Sequence, residues 1–126
     1  MALGVPALGA IRENATVALT TDAGESRLTE CSATWLGPSF VGFAASSVAD
    51  GEVTAVVTVR GSVVAPIVEG GGDLDPSANV FLSLTLGEVA MAPPSPGVGR
   101  VSLQVGVAID AATMTLVTDA RYGIPG

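Results

Sequence analysis

Residues 100–110 read RVSLQVGVAID, and this stretch decides the fold class. An apolar side chain stands at every second position from 101 to 109, and the positions between them are polar or small. This period of two is typical of a β-strand, because successive side chains of a strand point to opposite faces. Residues 111–112 (AA) are predicted to turn the chain, and residues 113–118 to return as a neighbouring strand.

The same alternation predicts strands upstream of this stretch. Residues 52–60 (EVTAVVTVR) place the apolar side chains at positions 53, 55, 57 and 59 on one face and the intervening side chains on the other. Shorter runs predict strands at residues 16–21, 32–36, 40–44, 62–68, 80–85 and 89–92. Turn-forming residues separate these runs, so residues 32–36 with 40–44, and residues 80–85 with 89–92, are predicted as hairpins.

The chain of 126 residues is therefore predicted to be all-β, a small single-domain β-barrel or β-sandwich of short antiparallel strands. Residues 15–126 are assigned to this domain, and residues 1–14 to an extended N-terminal arm. The beginning of the arm (MALGVPALGAI) is apolar but is interrupted by Gly4, Pro6 and Gly9. We expect this segment to be mobile in the free protein and to become ordered on assembly.

Composition and charge exclude several classes of protein. The chain has five Lys or Arg against twelve Asp or Glu, a net charge of −7, which argues against a nucleic-acid partner. No uninterrupted apolar run approaches the roughly 20 residues that a membrane span requires, so no membrane partner is expected. With no His and one Cys, the usual general base, the usual zinc ligands and an intrachain disulfide are missing. The sequence predicts no enzyme, no catalytic residue, no metal and no cofactor.

Four carboxylates are candidate site residues. Asp73 and Asp75 follow three glycines and resemble calcium ligands, but calcium takes about six to eight oxygen ligands, and a solvated loop is the simpler interpretation. The pairs Asp50 with Glu52 and Asp73 with Asp75 also resemble the two carboxylates of a glycosidase. Both pairs lie at predicted turns, where Asp is favoured for backbone reasons, so neither is assigned a catalytic role.

Cys31 and three aromatic residues are further candidates for a functional role. Cys31 is predicted to be a small buried hydrophobic residue, with a reactive thiol as the alternative. Trp35, Phe40 and Phe43 are predicted to form local core, with a stacking platform for nucleic acid as the alternative that the acidic charge opposes.

Between residues 42 and 116 a series of short motifs follows in a distinctive order. These are turn and strand signatures: GFA at 42–44, ADGE at 49–52, RGSV at 60–63, VFLS at 80–83, GEV at 87–89, PP at 93–94, VGVA at 105–108 and MTL at 114–116. In this order the chain resembles the capsid cement proteins of tailed bacteriophages, which are also called head decoration proteins.

The resemblance implies a virion structural protein that is made in the host cytoplasm and binds the exterior of an icosahedral head. Its expected partners are the major capsid protein and further copies of itself, in a homotrimer. The alternative is another virion component, a tail or fibre β module that binds a receptor or a carbohydrate. We expect docking through apolar burial and strand pairing, so a charge at Val57 or Val105 should weaken it more than loss of Arg60 or Arg100.

Overall fold

The computed structural model describes residues 2–36, 39–95 and 97–117 of the chain. Among these residues it has ten β-strands and no α-helix. The strands are β1 Ala2–Pro6, β2 Thr16–Asp22, β3 Glu25–Glu30, β4 Phe40–Ala44, β5 Val53–Val57, β6 Val63–Val64, β7 Asn79–Leu82, β8 Val89–Ala90, β9 Gln104–Ala108 and β10 Met114–Leu116. The predicted all-β fold of short antiparallel strands is confirmed.

The strands form two five-stranded antiparallel sheets, one from each half of the chain. The first sheet has the order β1-β5-β4-β2-β3, and the second has the order β6-β10-β9-β7-β8. The first sheet nearly closes into a barrel, because Ala7, just after β1, bridges to Leu28 of β3. The backbone N–H of Leu8 donates to the carbonyl of Leu28 at 2.8 Å and extends this seam.

Two clusters of buried side chains hold the sheets together. One fills the inside of the first sheet and includes Val17, Leu28 and Val56. The other joins the outer face of the first sheet to the second sheet. In this second cluster the rings of Phe40 and Phe43 meet edge to face, with their centroids 5.7 Å apart. This second cluster is a core that the two sheets share.

A bulge in β4 allows this arrangement. Val17 pairs with Gly42 but Ala18 pairs with Phe40, so one extra residue of β4 is accommodated between them. Residues separated by three positions on a regular strand point to opposite faces. The bulge cancels that alternation, so Phe40 and Phe43 both enter the cluster between the sheets.

The strand predicted at residues 52–60 is present but shorter, and its inner face is the one that carries the hydroxyl groups. Thr54, Val56 and Thr58 are buried, whereas Val53 and Val59 are 50% and 59% exposed. The buried hydroxyl of Thr54 lies 2.9 Å from that of Ser46, so it has a hydrogen-bond partner.

Three local predictions are wrong. Residues 32–36 form a tight turn rather than a strand, because Ser32 and Trp35 bridge to each other. Residues 40–44 therefore pair with β2 and β5 instead of forming a hairpin with residues 32–36. The Val-rich strand expected at residues 62–68 is reduced to Val63–Val64.

The N-terminal segment also differs from its prediction as a mobile arm. Residues 2–6 are extended, but they pair with β5 as an edge strand of the first sheet. Ala7 and Ile11 are each 1% exposed and belong to its core. Pro6, which lacks an N–H, is accommodated because it is the last residue of an edge strand. The described part of the segment is therefore structural.

Candidate functional site

An ion cluster of Arg12, Glu30 and Glu88 connects the two sheets. The sequence did not predict it. The guanidinium of Arg12 donates to both carboxylate oxygens of the buried Glu30, from Nε at 3.2 Å and from Nη2 at 3.0 Å. The backbone N–H of Arg12 donates to the same carboxylate at 2.8 Å. Nη1 reaches Glu88 at 3.4 Å, and Nη2 donates to the carbonyl of Leu86 at 2.7 Å. The hydrogen bond to Glu30 is the main cause that raises the pKa of Arg12.

Gly87 lies against this cluster at the turn between β7 and β8. Its N–H donates to the carbonyl of Cys31 at 2.8 Å, and its carbonyl accepts the N–H of Thr16 at 3.0 Å. A Cβ at this position would lie 2.7 Å from Nη2 of Arg12 and would also overlap the carboxylate of Glu30. A larger residue here would have to displace these side-chain groups of the ion cluster, and the φ of +79° also favours glycine. The cluster is a structural clamp between the sheets.

Asp50 and Glu52, one of the two candidate carboxylate pairs, accept hydrogen bonds from the backbone within the fold. Oδ1 of Asp50 accepts the N–H of Gly9 at 2.7 Å and lies 3.3 Å from the guanidinium of Arg27. The same guanidinium donates to the carbonyl of Ala7, so it closes the seam of the first sheet. Oε1 of Glu52 accepts the N–H of Ala49 at 2.6 Å within its turn.

The acidic loop that resembles a calcium site is anchored by its central residue. Leu74 is 2% exposed, and its N–H donates to the carbonyl of Ala111 at 2.9 Å. Asp73 and Asp75 flank it and are exposed. Within the described residues, no three His, Cys, Asp or Glu side chains are grouped so that they could hold a metal ion.

Cys31 is fully buried in the cluster between the sheets. Burial raises the pKa of its thiol from 9.0 to about 12. A thiolate is the reactive form of cysteine, so this environment makes the thiol inert at neutral pH. The interpretation of Cys31 as a small buried hydrophobic residue agrees with its position.

We expect Cys31 to resist alkylation in the folded protein. The shift from 9.0 to about 12 lowers the thiolate fraction about 1,000-fold at pH 8, since each pKa unit is a factor of ten. Iodoacetamide labelling followed by mass spectrometry should show modification only after denaturation. Because the raised pKa favours the folded state only while the thiol is protonated, stability should also fall as pH rises from 9.0 toward about 12. The Cys31→Ala variant should lose that part of the alkaline fall, and rapid labelling of the native protein would contradict the prediction.

Trp35 is exposed, which corrects the prediction that it belongs to the core with the two phenylalanines. It is 56% exposed on the turn that follows Ser32. Oγ of Ser32 accepts the N–H of Thr34 at 3.2 Å and that of Trp35 at 3.1 Å, so the turn is well defined. Ala33 of the same turn donates its N–H to the carbonyl of Ser83 at 2.8 Å.

Other large apolar side chains are exposed along β5 and in the connection from β5 to β6. Val53 on β5, Val59 in the turn after it and Val63 on β6 are 50%, 59% and 62% exposed. The N–H of Ser62 donates to the carbonyl of Val59 at 3.1 Å, so the turn between Val59 and Val63 is tight. We call these three residues the valine surface.

A groove of about 410 Å³ lies beside the outer strand of the second sheet. Glu69 and residues 82–84 line one part of it, and residues 90–95 (AMAPPS) line the other. The hydroxyl of the buried Ser83 donates to the carboxylate of Glu69 in this groove. We call this feature the β8 groove.

No protein-family model, curated protein or solved structure matches this chain. Within the described residues, no helix is long and apolar enough to span a bilayer. Among the described residues, the candidate functional features are the valine surface, the exposed Trp35 and the β8 groove, because exposed apolar side chains and concave surfaces are the usual sites of contact with a partner.

Proposed function

We propose that the chain is a capsid cement protein that binds the exterior of an icosahedral phage head and stabilises contacts between capsomers. The observation that carries this proposal is the set of large apolar side chains exposed on the β fold. Trp35 and the valine surface present apolar area outside the two core clusters. Exposed apolar surface on a folded domain favours burial against a partner, and tryptophan is enriched among the residues that dominate binding energy.

Charge also supports a partner interface based on apolar contacts. Two of the five cations of the chain, Arg12 and Arg27, are held in ion pairs within the fold. A protein of net charge −7 gains little from charge attraction to an acidic surface, and added salt screens the repulsion. Val105, which the sequence suggested as an interface position, is 0% exposed in the core. The valine surface takes its place in the proposal.

The proposal is tested on shells assembled from the major capsid protein, which we expect the adjacent reading frame to encode. The chain should sediment with such shells, and its occupancy should hold or rise between low and moderate salt. Val59→Asp should reduce occupancy at least about tenfold, since one buried unpaired charge costs more than 1.4 kcal/mol. Thr21→Asp, which adds the same charge at an exposed position of the β2–β3 hairpin, is the matched control.

Two outcomes would overturn this proposal. One is the absence of binding to shells while circular dichroism shows a folded protein. The other is release at moderate salt, which would place the contact on charged groups. Assembly as a homotrimer is part of the proposal, and sedimentation of the particle-bound form after cross-linking should give three copies in each unit.

The exposure of Trp35 favours a second candidate, a carbohydrate-binding module of a phage tail or fibre. Aromatic side chains that stack on sugars must present a face to solvent, and this residue is 56% exposed. A glycan array separates the two candidates. Binding that is lost in Trp35→Ala, without binding to capsid shells, would favour the second candidate over the first.

A further inference from the structure

Residues 97–100 (GVGR) form a turn that presents Val98 to solvent. The N–H of Arg100 donates to the carbonyl of Gly97 at 3.2 Å, and Gly99 has the positive φ, +78°, that type II turns have at their third position. The guanidinium of Arg100 folds back and donates to the carbonyl of Ser95 at 3.1 Å. Val98 at the apex has a relative exposure of 106%. We call residues 97–100 the Val98 turn.

The Val98 turn lies beside the wall of the β8 groove without filling it. Residues 90–95 line the groove and lead along the chain to the turn, and Leu84, which is 41% exposed, lines the other part. The groove of about 410 Å³ falls within the range of about 300–1,000 Å³ that is usual for binding sites, and its lining residues are mostly Leu, Ala, Met and Pro. Since Val98 is fully exposed, the turn does not enter the groove of its own chain. One molecule therefore presents both an apolar knob and an apolar groove.

The charges of the two features favour a second copy of this chain as the occupant of the groove. Glu69 is the one charged residue among the described residues that line the groove, and Arg100 is the charged residue of the turn. Each has a hydrogen-bond partner within its own chain, Ser83 for Glu69 and Ser95 for Arg100. Entry of the turn into the groove brings one negative and one positive group to the interface, so the contact adds no net charge. Two chains that each carry −7 can therefore meet here without juxtaposing like charges.

We propose that the Val98 turn of one copy occupies the β8 groove of the next copy. Val98 packs against Leu84, Pro93 and Pro94, and burial of these apolar side chains supplies the affinity. The hydrogen bonds of the turn fix its shape before binding, so little conformational entropy is lost. Turn and groove are different surfaces, so the contact is heterologous, and a closed ring satisfies every turn and every groove. The inference rests on the homotrimer that the proposed function includes.

Disulfide cross-linking between copies tests this contact directly. Val98→Cys and Leu84→Cys place thiols at two exposed positions, and the natural Cys31 is buried and does not compete. After mild oxidation, a mixture of these two variants should give linked pairs that contain one chain of each, identified by mass spectrometry. Thr21→Cys, at an exposed position outside the groove lining, is the control partner for Val98→Cys and should give several-fold fewer mixed pairs. The double variant Val98→Cys with Leu84→Cys should give covalent trimers and no longer products.

A charge in the turn tests the strength of the same contact. Val98→Asp should raise the dissociation constant for self-association at least about tenfold, because its carboxylate would be buried without a partner in an apolar groove. Sedimentation velocity of the free protein over a range of concentrations measures this change. Val59→Asp adds the same charge on the valine surface, where it tests shell binding, and should leave self-association unchanged. Failure of this inference is thereby distinguished from failure of the capsid proposal.

Any of three results, obtained with variants that circular dichroism shows to be folded, would refute the contact. The first is a yield of mixed pairs from Val98→Cys with Leu84→Cys that does not exceed the yield with Thr21→Cys. The second is a covalent ladder longer than three copies in the double variant, which would mean an open chain instead of a ring. The third is self-association that is absent, or that Val98→Asp leaves unchanged. Mixed pairs without binding to capsid shells would support the contact and refute the capsid proposal alone.

Discussion

Gly42→Ala is expected to cost about 3 kcal/mol or more of the free energy of unfolding, a large part of the 5–15 kcal/mol typical of a domain. Gly42 lies at the bulge of β4, between β2 and β5, with a φ of +156°. A Cβ there would overlap the carbonyl oxygen of Val57 and lie 3.0 Å from Cγ1 of Val56. The carbonyl belongs to the backbone of a paired strand, so it cannot move without breaking the sheet.

Urea denaturation of the variant measures this cost, and Gly51→Ala is its control. Gly51 also has a positive φ, +85°, but no atom lies within 4 Å of the added Cβ. Its replacement should cost about 1 kcal/mol, the usual penalty of a left-handed conformation for alanine. Equal costs for the two variants would show that the close approach of β4 and β5 does not limit stability.

The sequence predicted most of the strands from short apolar runs bounded by turn residues. β4, β5, β8, β9 and β10 lie within the predicted runs, and β2 and β7 each extend one residue beyond theirs. β3 (ESRLTE) was not predicted as a strand, because its buried face carries the charged Glu30 and the apolar alternation is therefore missing. In a sequence, a glutamate is normally assigned to the surface, because it is rarely buried without a cationic partner. Arg12 lies 18 residues away along the chain, so no local pattern links the two.

The bulge of β4 is a second feature that the alternation of apolar residues could not predict. A regular strand would place Phe40 and Phe43 on opposite faces, and only the pairing with β2 shows that they share one. The β8 groove is a further example, because residues 69, 82–84 and 90–95 meet there only after the second sheet has formed. Bulges and grooves depend on pairing between distant segments, and the period of a single segment carries no information about that pairing.

The second large effect is expected at the clamp between the sheets. Arg12→Ala should cost about 2–3 kcal/mol, because it leaves the buried carboxylate of Glu30 with the backbone N–H of residue 12 as its one remaining donor within the clamp. The cost falls below that of breaking a fully buried pair, since the Arg12 side chain is 49% exposed. Arg12→Ala combined with Glu30→Ala should cost less than the sum of the two single changes, with a coupling energy of about 1.5–3 kcal/mol.

Arg27 and Asp22 provide the matched control cycle. Their side chains are 3.4 Å apart at the β2–β3 hairpin, where Asp22 is 50% exposed, so their coupling should stay below about 1 kcal/mol.

Amide hydrogen exchange separates a clamp between the sheets from a merely local ion pair. The N–H groups of Thr16 and Gly87 form the backbone hydrogen bonds that join the turn between β7 and β8 to the first sheet. If Arg12 holds that turn in place, Arg12→Ala should speed exchange at both positions more than at Val105 in the centre of the second sheet. Uniform acceleration at all three would mean that the variant lowers global stability and that the sheets separate only when the whole domain unfolds. Selective acceleration would show that the contact between the two sheets opens first, with Arg12 as the group that keeps it closed.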